Sequence, residues 1–168
     1  MTSPTTPGAA SEKKPVPPTV QAYLDLMRAR EHLGRPILTL FKRHGLSEAT
    51  YNVLRILRGA GEPGLACREV GKRLVNAVPD VTRLVDRLEA LSFVQRERSS
   101  EDRRVWLVRL TEAGRELLGE LDQPVNELHE AQFEELSPEE LALLSNLLQR
   151  LAPRSGAGSS TQPKETKQ

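Results

Sequence analysis

The feature that most constrains the fold is a change of hydrophobic period in the middle of the chain. Up to Leu91, apolar residues recur at three- and four-residue steps, the spacing of an amphipathic α-helix. Two short segments then follow, residues 93–98 and 105–110, which have the character of strands and are separated by the polar turn 99–103. The sequence therefore predicts a helix that leads directly into a β-hairpin with a basic tip.

Two helices are predicted in the N-terminal part of the chain. The first begins near Val20 and should end at Gly45, with a kink or restart at 34–36 because the Gly-Arg-Pro segment disfavours a continuous helix. Ser47 can cap the second helix. This helix is apolar on more than one face, so we expect it to lie centrally in the bundle.

Two short helices are predicted just before the hairpin. One spans about residues 67–75, and the next has Pro79 as its first residue, where a missing N–H costs nothing. Two short helices joined by a tight turn resemble a helix-turn-helix. On the returning hairpin strand, Trp106 is expected to be a core residue.

The C-terminal part predicts two longer helices. Thr111 can cap a long helix with a kink at Pro124, and residues 137–140 form a capping box that opens the last helix. The last helix carries a stripe of leucines at alternating three- and four-residue steps, which calls for a partner helix: Leu141, Leu144, Leu148 and Leu151.

Composition excludes several classes of protein. The 168 residues carry 24 Lys and Arg against 23 Asp and Glu, and Cys67 is the single cysteine, so an intramolecular disulfide is impossible. The three histidines, His32, His44 and His129, lie too far apart for a short metal-ligand motif, so neither a metal nor another cofactor is expected. No apolar run is long enough for a membrane span and no signal peptide is recognisable, so we expect a cytoplasmic protein without a membrane partner.

Charge is unevenly distributed along the chain. Residues 66–110 hold ten basic and seven acidic side chains, whereas residues 111–152 hold two basic and ten acidic ones. A mildly basic middle beside an acidic segment is typical of a protein that meets a polyanion with one part of its surface.

Several motifs carry a resemblance to a known family. Residues 79–89, PDVTRLVDRLE, are followed by Asp-Arg-Arg at 102–104 and, after five intervening residues, by Leu-Thr at 110–111. Glu-Val-Gly at 69–71 and the helix opening at 136–141 add weaker matches. Together these motifs resemble the MarR family of winged helix-turn-helix transcriptional regulators, with the recognition helix in the first motif and the wing signature in the second.

The resemblance covers roughly residues 21–152 and implies an architecture. The fold is expected to be mainly α with a small β-hairpin wing, in which a winged helix-turn-helix domain is joined to a helical dimerisation region built from both termini. The expected parts are a disordered tail at 1–19, an N-terminal dimerisation helix region at 20–46, the DNA-binding domain at 47–110, C-terminal dimerisation helices at 111–152 and a disordered tail at 153–168.

The chain departs from the family pattern at three places. Ser92 stands where the family usually has glycine after the recognition helix, so this C-cap is expected to be strained or differently shaped. Ala66 stands where the third helix usually has a Ser or Thr cap, which removes about 1 kcal/mol of local support. The Gly-Arg-Pro segment at 34–36 falls inside the first helix.

The resemblance assigns base contacts to the recognition helix. One arginine can bond both O6 and N7 of guanine in the major groove, and Arg83 resembles the base-contacting arginine of the family. Asp80, Thr82 and Arg87 are weaker candidates for DNA contact. Because the family binds as a dimer, a near-palindromic double-stranded operator is expected.

The hairpin tip is the second expected DNA contact. Arg103 and Arg104 suit the adjacent minor groove or its phosphates. The resemblance implies that Asp102 orients the wing by fixing an arginine through a salt bridge, although an aspartate here can also simply cap a turn.

Dimerisation and effector binding are also implied by the resemblance. The residues expected at the dimer seam are Leu24, Met27, Leu117, Leu121, Leu141, Leu144, Leu148 and Leu151. A small anionic or aromatic effector would be bound near the first two helices, and the candidates there are His32, Arg35, His44 and Tyr51, which are equally well explained as surface or interhelical residues.

Three functions of different class follow from these features. The first is a homodimeric, ligand-responsive regulator, usually a repressor in this family. The second is a winged-helix DNA-binding protein without a ligand switch. A variant of the first is an oxidant sensor that uses Cys67. A lone cysteine at an apolar position is, however, most often a packing residue. An enzyme is disfavoured because no nucleophile motif or phosphate-binding glycine-rich loop is present.

Overall fold

The computed structural model describes residues 15–74 and 80–151. The expected helix start at Pro79 and the expected helix end at Val75 lie outside these residues. Within the described ranges there are six helices and three strands, in the order α1 (Pro18–Arg43), α2 (Glu48–Ala60), β1 (Leu65–Ala66), α3 (Cys67–Arg73), α4 (Val81–Ala90), β2 (Val94–Arg98), β3 (Trp106–Leu110), α5 (Glu112–Gln132) and α6 (Pro138–Leu151). The fold class is therefore mainly α with a small antiparallel sheet, as predicted. None of the described helices is long and apolar enough to cross a membrane.

The chain divides into two compact units, with the boundary between Arg35 and Pro36. The described part of the first unit is the N-terminal portion of α1, in which no residue is buried. Helix α1 continues without interruption through Pro36, so the restart expected at residues 34–36 is wrong. A proline inside a helix removes one hydrogen bond, and here that loss does not end the helix.

The core lies in the second unit and is built around α2. This helix buries one wide face because apolar residues occupy several helical positions, as predicted for a central helix. The largest fully buried apolar side chains come from helices α1 to α5 and from both hairpin strands: Phe41, Val53, Leu54, Leu57, Val70, Val85, Leu88, Val94, Val108, Leu118 and Leu121. Helix α6 contributes no buried residue.

Two of the residues predicted for the dimer seam belong to this core instead. Leu117 and Leu121 are 7% and 1% exposed and pack within the hydrophobic cluster of their own chain. Their apolar surface is already covered, so the predicted dimerisation role of these two leucines is wrong. The helical period of α5 predicts an apolar face correctly but cannot tell which surface covers it.

The sheet has one strand more than the sequence predicts. The hairpin pairs β2 with β3, with Val94 opposite Leu110 and Arg98 opposite Trp106, and the two-residue strand β1 adds to the other edge of β3. A two-residue strand has no readable period, so the sequence gives no signal for it. Gly64 precedes it with a φ of +69°, and a Cβ there would lie 2.6 Å from the carbonyl oxygen of Val108.

The predicted helix starts are confirmed at three places. Ser47 and Thr50 form a reciprocal capping box at α2, and the hydroxyl of Thr111 accepts a hydrogen bond from the Gly114 N–H at α5. Ser137 and Glu140 bond each other's backbone N–H at α6. Helix α3 begins after Ala66 with no side-chain cap, as its sequence predicts.

The C-terminus of α4 confirms the expected strain at Ser92. The Ser92 N–H donates to the Glu89 carbonyl and the Phe93 N–H to the Leu88 carbonyl, which is the Schellman arrangement. This arrangement requires a left-handed residue, and Ser92 has a φ of 61°.

Replacing Ser92 with glycine should therefore stabilise the protein by about 0.5–1 kcal/mol. Glycine adopts this conformation without a Cβ clash, and this gain exceeds the cost of its greater freedom in the unfolded chain. The hydrogen bond from the Thr111 hydroxyl to the Ser92 carbonyl is kept in the variant. Thermal unfolding measures the effect. Ser100→Gly, at a residue without positive φ, is the matched control and should not stabilise; an equal gain in both variants would contradict this explanation.

An ion pair links α2 to α5. The Arg58 guanidinium makes two hydrogen bonds to the Asp122 carboxylate, at 2.7 and 2.9 Å. These bonds lower the pKa of Asp122 below its ordinary value of 3.8, against the effect of burial. Asp122 therefore stabilises the fold above pH 3.8, and this contribution is lost as the pH falls through the lowered pKa.

The variant Asp122→Asn should lower the free energy of unfolding at neutral pH by at most about 1 kcal/mol, because both side chains are partly exposed. The difference from wild type should shrink below pH 3.8 and vanish once the native carboxyl is protonated. Urea unfolding at a series of pH values measures it. A difference that stays constant down to the lowest pH would assign the effect to packing rather than to the charge.

Candidate nucleic-acid interface

Helix α4 presents one polar face to solvent. Val85 and Leu88 bury the opposite face, and the exposed positions fall at one- and four-residue steps, which places them side by side: Thr82, Arg83, Asp86 and Arg87. The Arg83 side chain is 86% exposed. The helix therefore offers a hydroxyl and guanidinium groups on a face that residues 15–74 and 80–151 leave exposed.

Asp80 acts as the N-cap of this helix. Its carboxylate accepts a hydrogen bond from the Arg83 N–H at 3.0 Å, and its other oxygen lies 3.5 Å from Arg83 Nε. The carboxylate is thus occupied with the helix terminus and with the arginine beside it. Asp80 is therefore the N-cap of α4 and lies beside the Arg83 side chain, and its contact with DNA stays a prediction.

Arg87 connects α4 to the turn between α1 and α2. Its Nη2 donates a hydrogen bond to the Gly45 carbonyl at 2.9 Å. One edge of the guanidinium is therefore used inside the protein, although the residue is exposed. Arg83 is the freer of the two arginines on this face.

The hairpin tip is held by hydrogen bonds within the loop. The Ser99 N–H donates to the Val105 carbonyl, and the Ser99 hydroxyl accepts from the N–H groups of Glu101 and Asp102. The Asp102 carboxylate accepts from the Arg104 N–H at 2.9 Å. Asp102 thus caps the turn through the backbone, and among the described residues it forms no salt bridge of the kind that the resemblance implies. Arg103 and Arg104 are exposed at this tip.

Arg96 ties the hairpin to α4, a role that the sequence does not predict. Its guanidinium bonds Asp86 Oδ1 at 2.5 Å and the Glu89 carboxylate, and its N–H donates to the same carboxylate. Burial opposes the charge, but the hydrogen bonds that Arg96 donates to both carboxylates outweigh it and raise the pKa of Arg96 above its ordinary value. Asp86 and Glu89, three residues apart on α4, are the sequence signal for a basic partner. That partner, Arg96, lies beyond the end of the helix, and only the folded hairpin brings it near the two acids.

Trp106 is not a core residue, contrary to prediction. It is 46% exposed, and the Arg98 guanidinium lies over its ring at 4.1 Å from the centroid. Trp106 shares a strand face with the buried Val108 and Leu110, since alternate residues point the same way. Near α5 this strand face packs on the core. At the tip the hairpin extends beyond the core, and there the same face is exposed to solvent.

The residues predicted for an effector site are spread over both units. His32 and Arg35 belong to the first unit, and His44 and Tyr51 belong to the second. Tyr51 is 4% exposed and stacks on Phe41 with ring centroids 4.1 Å apart. This places Tyr51 in the core as an interhelical contact, which is one of the two explanations that the sequence leaves open.

Two further findings concern metal and cysteine chemistry. Among the described residues, no group of three or more His, Cys, Asp or Glu side chains is arranged to hold a metal ion. Cys67 is half-buried at the start of α3 and packs against the hydrophobic cluster.

The chain is similar to proteins of one family. A family model described as the MarR family matches residues 44–105, the segment that holds α2 to the wing tip. The crystal structure of a MarR transcription factor from Planctomyces limnophilus is 38% identical, with a TM-score of 0.63 over 83% of this chain and 100% of that one.

Two other solved structures bear on function. A cysteine-to-serine mutant of MarR from E. coli, complexed with operator DNA, is 25% identical with a TM-score of 0.71 over 80% of this chain and 96% of that one. BpsR from Bordetella bronchiseptica, whose DNA binding is regulated by 6-hydroxynicotinic acid, is 25% identical with a TM-score of 0.72 over 82% of this chain and 97% of that one. The fold, the matched segment and these similarities agree, and the chain belongs to the MarR family of winged helix-turn-helix DNA-binding transcriptional regulators.

Proposed function

We propose that the chain is a homodimeric, sequence-specific repressor that binds a near-palindromic operator and leaves it when a small molecule binds. The observation that carries the proposal is the face of α4: a capped helix that presents Arg83 and Thr82 to solvent and is braced to the wing by Arg96. A helix fixed in this way can present a guanidinium to guanine O6 and N7 in the major groove. Arg103 and Arg104 then reach the neighbouring minor groove or its phosphates.

Exposed apolar surfaces near both ends of the chain support the dimer. The N-terminal portion of α1 leaves Leu24 and Met27 exposed, together with Val20 and Tyr23. In the second unit, α6 buries none of its leucines; Leu148 and Leu151 are exposed, and Leu144 lines an open apolar hollow with Phe133. A second copy of the chain is the occupant that a two-fold operator requires.

A groove between α1 and α5 supports effector binding. It has a volume of about 490 Å³ and is lined by Pro36, Thr39, Leu40, Arg43, Pro124, Glu127 and Leu128. The lining is largely apolar and carries the Arg43 guanidinium together with the Glu127 carboxylate, which suits a small aromatic molecule that bears a polar or charged group. The regulation of BpsR by an aromatic acid, 6-hydroxynicotinic acid, is the relevant precedent.

The oxidant-sensor alternative makes a separate prediction. If Cys67 is only a packing residue, Cys67→Ser should leave both the operator affinity and any response of binding to peroxide unchanged. Gel-shift titrations with and without peroxide measure this. Loss of a peroxide response in the variant would favour the oxidant sensor over the ligand-responsive regulator.

DNA footprinting on the segments that flank the coding region of the protein tests the proposal. Protection of a two-fold symmetric sequence, relieved by an aromatic acid, is the expected result. Protection that no candidate effector relieves would favour a winged-helix protein without a ligand switch. Absence of any protected sequence would contradict specific binding.

A further inference from the structure

An arginine–tryptophan stack lies at the distal end of the hairpin. Arg98 and Trp106 are directly paired across β2 and β3, and the guanidinium carbon is 4.1 Å from the ring centroid. This is well within cation–π distance. Trp106 is the only tryptophan of the chain, and nearly half of its surface remains exposed.

Arg98 also holds the loop that carries the tip arginines. Its Nη1 donates a hydrogen bond to the Arg103 carbonyl at 2.6 Å. The guanidinium is therefore fixed on one side by the ring and at one edge by the loop backbone. Because a guanidinium has five N–H donors, a stacked and partly bonded one still has donors free for another acceptor.

Two acidic side chains close to Arg98 in the sequence are engaged elsewhere. Glu97 pairs with Arg109, and Asp102 caps the turn at the Arg104 N–H. In the described ranges no carboxylate forms an ion pair with Arg98, so the aromatic ring is its partner. A carboxylate in that place would cancel the charge of Arg98, whereas a ring orients the cation and leaves its charge intact.

We propose that Trp106 is a positioning residue that holds Arg98 as a third DNA-contacting cation of the wing. Arg98 bonds a phosphate of the operator backbone with its free donors and at the same time fixes the Arg103 carbonyl, so the tip arginines reach the DNA already ordered. The proposal rests on the proposed function, in which the wing lies against DNA.

The test begins with the free protein, because the stack exists without DNA. The fluorescence of Trp106 reports its own environment, and Arg98→Ala should make the indole more accessible to acrylamide quenching because one ring face is uncovered. An unchanged quenching constant would show that the stack does not persist in solution and would overturn the proposal.

The second measurement is a salt titration on a duplex selected by the wild-type protein and on its scrambled counterpart. Arg98→Ala should weaken binding to both duplexes and flatten the log–log salt dependence by about one unit per subunit. Trp106→Leu should weaken both by about threefold to tenfold, whereas Trp106→Phe keeps a ring and should recover most of the affinity. The double variant Arg98→Ala with Trp106→Leu should be no weaker than Arg98→Ala alone, since the ring acts through the arginine.

Arg98→Lys is the charge-matched control. A lysine keeps the charge but cannot stack as a planar fork, so it should bind more weakly than wild type with an unchanged salt slope. Wild-type affinity in Arg98→Lys, or a wild-type salt slope in Arg98→Ala, would overturn the proposal. If selection with the wild-type protein enriches no duplex while the quenching experiment detects the stack, it is the proposed function that fails.

Discussion

Arg83→Ala is expected to remove most of the discrimination between the operator and a scrambled duplex. A bidentate arginine–guanine contact discriminates by about 1–3 kcal/mol, and a two-fold operator contains the contact in each half-site. Binding to scrambled DNA depends mainly on phosphates and should change little. Competition binding at a fixed salt concentration measures the ratio of the affinities for the operator and the scrambled duplex.

The structure makes this variant easy to interpret. The Arg83 side chain is 86% exposed, and the cap at Asp80 uses the Arg83 backbone N–H, which alanine retains. The melting temperature should therefore stay close to that of the wild type. Arg104→Ala is the matched control and should weaken both duplexes alike. If Arg83→Ala also weakens both duplexes equally, Arg83 binds phosphate and the base-reading residue lies elsewhere on α4.

Leu148→Glu is expected to dissociate the dimer and to abolish operator binding at the concentrations where the wild type binds. Leu148 is 37% exposed in the chain, so a glutamate is tolerated by the monomer but would be buried at the proposed dimer seam. An unpaired charge buried at an interface costs several kcal/mol. Light scattering coupled to gel filtration, followed by a gel shift on the same samples, measures both effects.

Asn146→Glu controls for the added charge. It introduces the same group two residues away, on the opposite side of α6, where the residue is exposed. The control should remain dimeric and bind DNA. A dimeric Leu148→Glu variant, or a wild type that is monomeric at micromolar concentration, would contradict the dimer built from α6.

Local sequence signals predicted much of the fold. The recognition helix, the hairpin and the caps at Ser47, Thr111 and Ser137 each depend on residues within a few positions of one another, and all three caps are confirmed. The expectation of strain at Ser92 came from the resemblance, because the family usually has glycine at this position, and the positive φ of Ser92 agrees with it.

Features that depend on distant parts of the chain could not be predicted. Arg96 meets its acids only because the hairpin folds back on α4. Trp106 alternates correctly with Val108 but lies beyond the end of the core, and no local pattern reports where a core ends. Tyr51 and Leu121 occupy apolar helix faces, and only the fold decides that their own chain covers them.

Selection of bound duplexes from a fully random DNA library tests the central claim most directly. If the chain reads sequence as a dimer through α4, repeated selection with the purified full chain should enrich a near-palindrome whose half-sites lie about one helical turn apart, roughly 10 base pairs. Arg83→Ala, used in parallel, should lose the symmetric guanine positions. Enrichment of an asymmetric site, or of no sequence at all, would contradict the claim that two copies of α4 read the operator.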